Sequence, residues 1–372
     1  MRRWDKRDDM IVHEQDPYNA EPRPQTLAGA LLTPVDTFYS RNHGPIPTLD
    51  PAAWSLRIGG LVERELEFSL LELQRRFDQQ TLTATLQCAG NRRAGSMAVR
   101  DIPGEDPWGS AATSTANWTG VRLADVLRTA RVGEGTGHVA FAAPDVSELA
   151  DPAQAYGASI ALRKALAPEV LLAWAMNGEP LPVAHGAPLR VVVPGWIGAR
   201  SVKWLQRITV QQAPSANWFQ ATAYHLLPAD ADPDGELPAS ALSLSSVALN
   251  SDILRPADGA TVPAGPTEIT GYAFAGDDRE VARVDVSIDG GGSWVQADLV
   301  GAPSRWAWRH WRTVVELVAG PVTVTARAWD SAAALQPELP EHVWNPKGYV
   351  NNSWPSIALT VTGDGNAPTP PR

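Results

Sequence analysis

The chain has 372 residues, of which 44% are hydrophobic and 19% charged, a composition that can bury a core and excludes a disordered or fibrous protein. Its net charge of -10 has the wrong sign for a protein that mainly binds nucleic acid. At roughly 150 residues per domain the length predicts two or three domains, and the sequence has no apolar run of about 18 residues that would span a membrane.

The N-terminus mixes basic and acidic residues from Arg2 to Asp9, and no apolar stretch follows before Pro17. A secretory signal needs such a stretch, and a twin-arginine signal needs it after Arg2 and Arg3. We therefore expect no export signal and a cytoplasmic location. The single cysteine, Cys88, excludes an internal disulfide and is compatible with a reducing compartment.

Short apolar strands alternate with helical patterns before residue 228. Alternate apolar residues predict a strand over 81–87, and apolar residues at helical spacing predict a helix over 123–130. The apolar run 171–176 ends in Asn177-Gly178, a pair that accepts positive φ, which predicts a strand entering a tight turn. A buried strand is predicted over 189–193. This mixture indicates an α+β domain.

Cys88 lies just past the first predicted strand, in Leu86-Gln87-Cys88-Ala89-Gly90-Asn91-Arg92-Arg93. The two arginines favour the thiolate, which makes Cys88 a candidate soft-metal ligand. The alternative is a small buried hydrophobe, the commoner role of a lone cysteine. A single thiolate cannot hold zinc or an iron–sulfur cluster, so a cofactor that carries its own sulfur ligands would be required.

Three further segments concentrate hydrogen-bond donors on proline- or glycine-containing backbone: Phe38–Pro47, His185–Arg190 and Gly195–Trp204. A buried phosphate requires such donors, because its charge must be hydrogen-bonded once water is removed. The alternatives are a surface charge beside a strand for Arg190 and Lys203, and a turn residue for His43 and His185. Because all three segments lie in one predicted domain, we favour a shared anion site.

An acidic stretch with Pro and Gly, residues 228–235, predicts a linker, and we place the main boundary near 228–247. Beyond it, strict alternation at Val284, Val286 and Ile288 before Asp289-Gly290 predicts hairpin strands. About 115 residues of this pattern predict an immunoglobulin-like β-sandwich whose indoles fill the space between the sheets. The tryptophans in question are Trp294, Trp306, Trp308, Trp311 and Trp329.

The segment from Gln87 to Arg93 resembles the molybdenum-ligating signature of the sulfite oxidase family, and the other three segments resemble that family's molybdopterin-binding segments in the same order. The resemblance implies a mixed α/β molybdopterin-binding domain followed by an immunoglobulin-like dimerisation domain. The predicted parts are an N-terminal extension over 1–30, the catalytic domain over 31–240, the dimerisation domain over 247–363 and a disordered tail over 364–372.

The resemblance also implies a molybdenum–molybdopterin cofactor and no haem in this chain. Cys88 would be the protein thiolate on molybdenum, and the pterin would supply the other sulfur ligands, a soft set that suits the metal. The residues that the resemblance places around the pterin are Tyr39, Ser40, Arg41, Asn42, His43, Asp145, His185, Arg190, Ser201, Val202 and Lys203.

The implied reaction is the oxidation of sulfite to sulfate by oxygen-atom transfer. Arg41 and Tyr156 match the family's active-site arginine and tyrosine, and Arg93 and Trp108 match residues around the substrate anion pocket. Together with Cys88, Arg41 and Tyr156 form the implied catalytic set. Guanidinium groups suit a small oxyanion because their planar donors bind two oxygens at once.

Two features depart from the family's pattern. Lys347 stands where animal and plant members usually have an arginine, so the charge remains but the two-pronged donor is lost. Glu105 and Asp106 lie shortly before Trp108, where a basic residue is often found, and would repel a dianion. Either feature could shift the preference from sulfite toward another oxyanion or an S-oxide.

The chain has no haem-attachment motif, so electrons are expected to pass to an external acceptor such as a cytochrome. The sandwich is expected to form a two-fold homodimer, and no nucleic acid or membrane partner is expected. Two alternatives stay open: a reductase of nitrate or a sulfoxide on the same fold, and a non-enzymatic binding module. Stoichiometric molybdenum would exclude the binding module.

Overall fold

The computed structural model describes residues 3–363, which form two compact units. The first contains residues 3–23, Leu32–Val247 and Trp344–Asn351, and the second contains Pro24–Leu31, Ala248–Val343 and residues 352–363. The predicted domain boundaries followed the order of the chain, and the two units do not. Residues 3–23 and 344–351 belong to the first unit, and residues 24–31 belong to the second. The predicted tail, 364–372, lies outside the described residues. No helix within 3–363 is long and apolar enough to cross a membrane.

The first unit contains two five-stranded sheets and two small hairpin-like pairs. Its strands are β1 (Ile11–Gln15), β2 (Tyr18–Glu21), β3 (Leu56–Gly60), β4 (Leu66–Phe68), β5 (Gln79–Gln87), β6 (Thr113–Arg122), β7 (His138–Ser147), β8 (Gln154–Ala161), β9 (Leu171–Met176), β10 (Glu179–Pro180), β11 (Arg190–Val192), β12 (Arg207–Gln211), β13 (His225–Leu226) and β14 (Leu242–Ser243). One large sheet has the order β10-β9-β6-β5 with β11 also on β9, and the other has the order β4-β3-β12-β7-β8. Within the second sheet only β12 and β3 run parallel.

The helices of this unit are short, so most of its core comes from the sheets. They are α1 (Leu70–Arg76), α2 (Arg93–Val99), α3 (Leu123–Ala130) and α4 (Leu162–Ala165), with 3-10 turns at Arg3–Asp5, Val183–His185 and Gly198–Arg200 and a π turn at Phe219–Ala223. The predicted helix over 123–130 is confirmed as α3, whose apolar residues Leu123, Val126 and Leu127 are fully buried. The strands predicted over 81–87, 171–176 and 189–193 are confirmed as β5, β9 and β11.

The N-terminal segment is part of the first unit because its backbone completes this unit's hydrogen bonding. Ala20 and Ser40 exchange two backbone hydrogen bonds of 2.9 and 2.8 Å. The side chain of Asn42 donates to the carbonyl of Tyr18 at 2.5 Å, and the backbone N–H of Asn42 donates to Oδ1 of Asn19 at 2.6 Å. Residues 18–20 therefore hold the segment around residue 40 in place.

The second unit is a β-sandwich of a four-stranded and a five-stranded sheet. Its strands are β15 (Asn250–Arg255), β16 (Thr261–Pro263), β17 (Gly265–Phe274), β18 (Val281–Ser287), β19 (Val295–Gln296), β20 (Asp298–Val300), β21 (Arg309–Leu317), β22 (Gly320–Asp330) and β23 (Ser356–Thr362), with 3-10 turns at Pro24–Leu27 and Pro340–His342. The sheet orders are β15-β17-β21-β20 and β16-β23-β22-β18-β19. Side chains from both sheets form one apolar core, which confirms the predicted sandwich, and its likeness to an immunoglobulin fold stays a prediction.

The predicted role of the tryptophans is correct only for Trp311, the one of the five that belongs to the core between the described sheets. Its ring lies so close to the backbone of β17 that a Cβ on Gly271 would be 2.3 Å from Trp311 Cζ2. Trp294 and Trp329 instead flank the guanidinium of Arg327, with ring centroids 3.7 and 4.8 Å from its central carbon. A cation over an aromatic face is stabilised by the ring quadrupole, which keeps these indoles outside the core.

Candidate active site

A small cavity in the first unit brings together most of the residues predicted around the cofactor. Its lining comes from the segment before residue 44, the end of β5, strands β7, β8 and β11, and the turns around residues 185 and 200. The predicted residues that line it are Tyr39, Ser40, Arg41, Asn42, His43, Cys88, Asp145, Tyr156, His185, Arg190, Ser201 and Lys203. Val202 is buried but does not line the cavity, and its carbonyl accepts a 2.8 Å hydrogen bond from Val191.

Cys88 is held at the cavity wall by the backbone that follows β5. Its N–H donates to the carbonyl of Ala112 at 2.9 Å, and its Sγ accepts the N–H of Gly90 at 3.4 Å. Burial raises the pKa of the Cys88 thiol, and the charges of Arg41 and Arg93 offset only part of this effect. Arg93 therefore favours the thiolate, as predicted, but desolvation outweighs this effect, so the pKa of the thiol is raised overall.

Buried cations surround the inner part of the cavity. Lys203 Nζ donates to the carbonyls of Arg41 and Ala184, both at 3.2 Å, and to Oδ1 of Asn42. The Arg190 guanidinium donates to the carbonyls of His185 and Ser201, both at 3.0 Å. These hydrogen-bond partners are neutral, so they do not compensate the positive charges of Lys203 and Arg190. Burial lowers the pKa of Arg190 to about 10 and that of Lys203 well below its usual range.

A third buried cation, Lys6, was missed because nothing in the sequence distinguishes it from a surface lysine. Its Nζ lies 2.7 Å from Nε2 of His185 and donates to the carbonyls of Val35 and Phe38 at 2.5 and 2.7 Å. Only 2% of the residue is exposed, and burial lowers its pKa to about 7. Lys6 thus contacts His185, which lines the cavity, but does not itself line it.

The donor set of the cavity fits a molybdopterin cofactor. Uncompensated buried cations are costly, and a bound phosphate would offset their charge. Oδ1 of Asp145 is buried without a hydrogen-bond partner among the described residues, and burial raises the pKa of this carboxyl to about 7. Such an acceptor suits the N–H groups of a pterin ring. Cys88, which also lines the cavity, could supply a soft thiolate ligand to molybdenum.

Tyr224 is a second residue that the sequence reasoning missed. It lines both this cavity and a larger cleft next to it, and its Oη lies 2.6 Å from Nε2 of His43. The predicted Tyr156 also lines the cavity, but its hydroxyl donates to the carbonyl of Ala199 at 2.7 Å. No local motif marks Tyr224, since it meets His43 only through the fold.

Arg41, His43 and Tyr224 form the passage between the cavity and the cleft, because they line both. Lys347 lines the cleft as well, and its carbonyl accepts a 2.9 Å hydrogen bond from Nε of Arg93. Arg41 and Lys347 therefore line the cleft, whereas Arg93 is buried and lines neither space. Trp108 is fully buried beside His13, with ring centroids 4.5 Å apart, and lines neither space.

Two family models match the chain. The oxidoreductase molybdopterin-binding domain matches residues 43–219, and the Mo-co oxidoreductase dimerisation domain matches residues 242–362. The chain is 43% identical to the sulfite oxidase of Gallus gallus over 92% of its own length and 76% of that protein. It spans 65% or 66% of the mammalian sulfite oxidases that it matches.

The chain also resembles proteins with other named activities. It is 36% identical to a nitrate reductase of Hordeum vulgare, over 96% of this chain and 43% of that protein. The structure of the sulfane dehydrogenase SoxCD from Paracoccus pantotrophus matches with a TM-score of 0.78 and 26% identity, over 94% of this chain and 86% of that one. These likenesses, together with the cofactor cavity, identify the protein as a molybdopterin-dependent oxidoreductase that belongs to the sulfite oxidase family.

Proposed function

We propose that this protein oxidises sulfite, or a similar small oxyanion, and passes the electrons to an external one-electron acceptor such as a cytochrome. The observation that carries the proposal is the position of Arg41 and Tyr224, which line both the cavity that contains Cys88 and the larger cleft next to it. A small anion in this passage would meet a guanidinium, a phenol and the Lys347 ammonium. Sequence identity of 43% to a sulfite oxidase supports the same substrate.

The bound molybdenum cofactor supplies oxygen-atom transfer and two-electron redox chemistry. Cys88 supplies the protein thiolate to the metal, and Lys203, Arg190 and Asp145 hold the pterin. Arg41 would hold the oxyanion, since it lines both the cavity and the cleft and its planar guanidinium can bind two oxygens at once. Tyr224 adds one directional donor. Burial lowers the pKa of His43 well below its usual range, and Nε2 of this imidazole lies 2.6 Å from the Tyr224 hydroxyl.

In the proposed reaction, sulfite and water become sulfate, with the release of two electrons and two protons. The electrons leave one at a time to the external acceptor. The match to a dimerisation domain supports a homodimer, which sedimentation would test. A cytoplasmic location also remains a proposal, and fractionation of the source cells would test it.

Nitrate reduction is the second candidate, favoured by the 36% identity to a nitrate reductase and by Glu105 at the cleft. Nitrate is a monoanion, so a carboxylate near the passage repels it less than it repels a dianion. In this direction nitrate, two electrons and two protons become nitrite and water, and the external partner supplies the electrons. The same residues would hold it.

The test measures molybdenum content and sulfite-dependent reduction of ferricyanide in one preparation, for the native chain and for Cys88→Ser. We expect stoichiometric molybdenum and sulfite turnover in the native protein, and loss of turnover in the variant. Nitrate-dependent oxidation of a reduced viologen dye is the matched assay for the second candidate. Molybdenum with turnover of nitrate alone would contradict sulfite oxidation.

A further inference from the structure

The guanidinium of Arg93 is fixed in place by neutral groups. Its Nε donates to the carbonyl of Lys347 at 2.9 Å, and one terminal nitrogen donates to the carbonyl of Asp106 at 3.0 Å. Its central carbon lies 5.2 Å from the centroid of the Tyr349 ring. A Cβ on Gly348 would lie 2.5 Å from Arg93 Cγ, so the side chain is also closely packed. These contacts hold the orientation of Arg93 without any acidic group.

The remaining terminal nitrogen of Arg93 is paired with Glu105. Oε2 of Glu105 lies 3.0 Å from this nitrogen, and Oε1 lies 3.8 Å from Nζ of Lys347. The side chain of Glu105 is 20% exposed and lines the cleft, whereas that of Arg93 is 4% exposed. The Glu105 carboxylate thus pairs with Arg93 and Lys347, two of the three cations that are predicted to bind the substrate.

We propose that Glu105 is a specificity-determining residue, a carboxylate of the chain itself that occupies the outer anion position and that an oxyanion must displace. This inference rests on the proposed function of the same site. A carboxylate has the flat, two-oxygen shape that a guanidinium binds, so Glu105 and an oxyanion compete for the same donors. Displacement is feasible because Glu105 borders the cleft, while the carbonyls that orient Arg93 stay in place.

Charge decides which oxyanions tolerate this competitor. A displaced Glu105 remains on the loop beside Arg93 and Lys347. Its electrostatic repulsion of the ligand is twice as large for a dianion as for a monoanion at the same distance. The site therefore selects against dianions relative to monoanions. Replacement of the carboxylate by an amide of the same shape removes the repulsion and weakens the competition.

The experiment compares the native holoprotein with Glu105→Gln and with Asp234→Asn. Asp234 lines the same cleft, but it is not an ion-pair partner of Arg93 or Lys347 among the described residues, so it controls for the loss of one cleft charge. Sulfate and nitrate are the binding probes, measured by titration calorimetry. The steady-state KM and kcat for sulfite are measured on the same preparations, and circular dichroism checks that each variant is folded.

We expect Glu105→Gln to tighten sulfate binding by about three- to tenfold and nitrate binding by less, and to lower the KM for sulfite with little change in kcat. Asp234→Asn should change each constant by less than about twofold. Tighter sulfate binding without any sulfite turnover supports the role of Glu105 and contradicts the proposed activity. Sulfite turnover with the same KM and the same sulfate affinity in all three proteins overturns the role of Glu105.

Discussion

The hydroxyl of Tyr224 and Nε2 of His43 lie 2.6 Å apart where the cavity meets the cleft. His43 also stacks on Tyr156, with ring centroids 4.3 Å apart, so two tyrosines contact one imidazole. The Tyr156 hydroxyl donates to a backbone carbonyl, which leaves Tyr224 as the phenol beside the passage. We therefore propose Tyr224 as the directional donor, whereas the sequence resemblance pointed to Tyr156.

Substitution of each tyrosine by phenylalanine distinguishes the two assignments. We expect Tyr224→Phe to lower kcat/KM for sulfite by about 100-fold, the usual effect of removing one donor to a developing charge. Tyr156→Phe is the matched control and should change kcat/KM by less than about threefold, because its hydroxyl only completes a backbone contact. A larger effect for Tyr156→Phe would favour the original assignment.

The contact between Lys6 and His185 predicts that the N-terminal segment contributes to cofactor retention. Lys6→Met removes the ammonium beside His185 and leaves the carbonyls of Val35 and Phe38 without that donor. We expect lower molybdenum and pterin content and a melting temperature reduced by several degrees. Arg7→Met is the control, since Arg7 is exposed and pairs only locally with Asp9 at 2.5 Å. Full cofactor content in Lys6→Met would contradict this role.

The lowered pKa of Lys6 predicts a pH dependence of stability in the cofactor-free protein. Burial lowers this pKa from 10.5 to about 7, so between these values the unfolded chain binds a proton that the folded chain lacks. The free energy of unfolding therefore rises with pH across this window, and the cost of the buried charge is largest below it. Relative to Lys6→Met, the native chain should gain a few kcal/mol between about pH 7 and 10.5. Urea denaturation measures this difference, and a constant difference would contradict it.

Because Lys347 lines the cleft, we expect its side chain to influence how strongly an oxyanion binds there. Lys347→Arg restores a two-pronged donor and should lower the KM for sulfite by about threefold, whereas Lys347→Met should raise it by about tenfold, both with a smaller effect on kcat. Lys164→Arg is the control, because Lys164 pairs with Glu169 at 2.5 Å and lines neither the cavity nor the cleft. Equal KM values for the native chain and Lys347→Met would exclude Lys347 from substrate binding.

The parts of the fold that were predicted correctly are those with local signals. The apolar periodicity of residues 123–130 and the alternation before Asp289-Gly290 depend only on neighbouring residues, and both elements are confirmed. The tryptophans were harder to place because an indole can bury its ring in a core or against a cation. Trp311 is buried in the core, whereas Trp329 packs against the guanidinium of Arg327. The sequence pattern alone does not distinguish these two environments.

The candidate site likewise combines residues that have a local sequence signal with residues that have none. Cys88 and the donor-rich segments carry recognisable local patterns, so a metal ligand and an anion site could be inferred from them. Lys6 and Tyr224 carry no such pattern, because their partners His185 and His43 are 179 and 181 residues away. Only the folded chain brings these groups within hydrogen-bond distance.

The sequence by itself determined the α+β class, the sandwich, the family resemblance and the cofactor, because each follows from the order of residues along short segments. Tertiary structure decided which charges are buried, which tyrosine faces the passage and that Glu105 pairs with Arg93. The physical reason is that burial and charge pairing depend on distances between groups far apart in the chain. Those distances exist only once the sheets have packed.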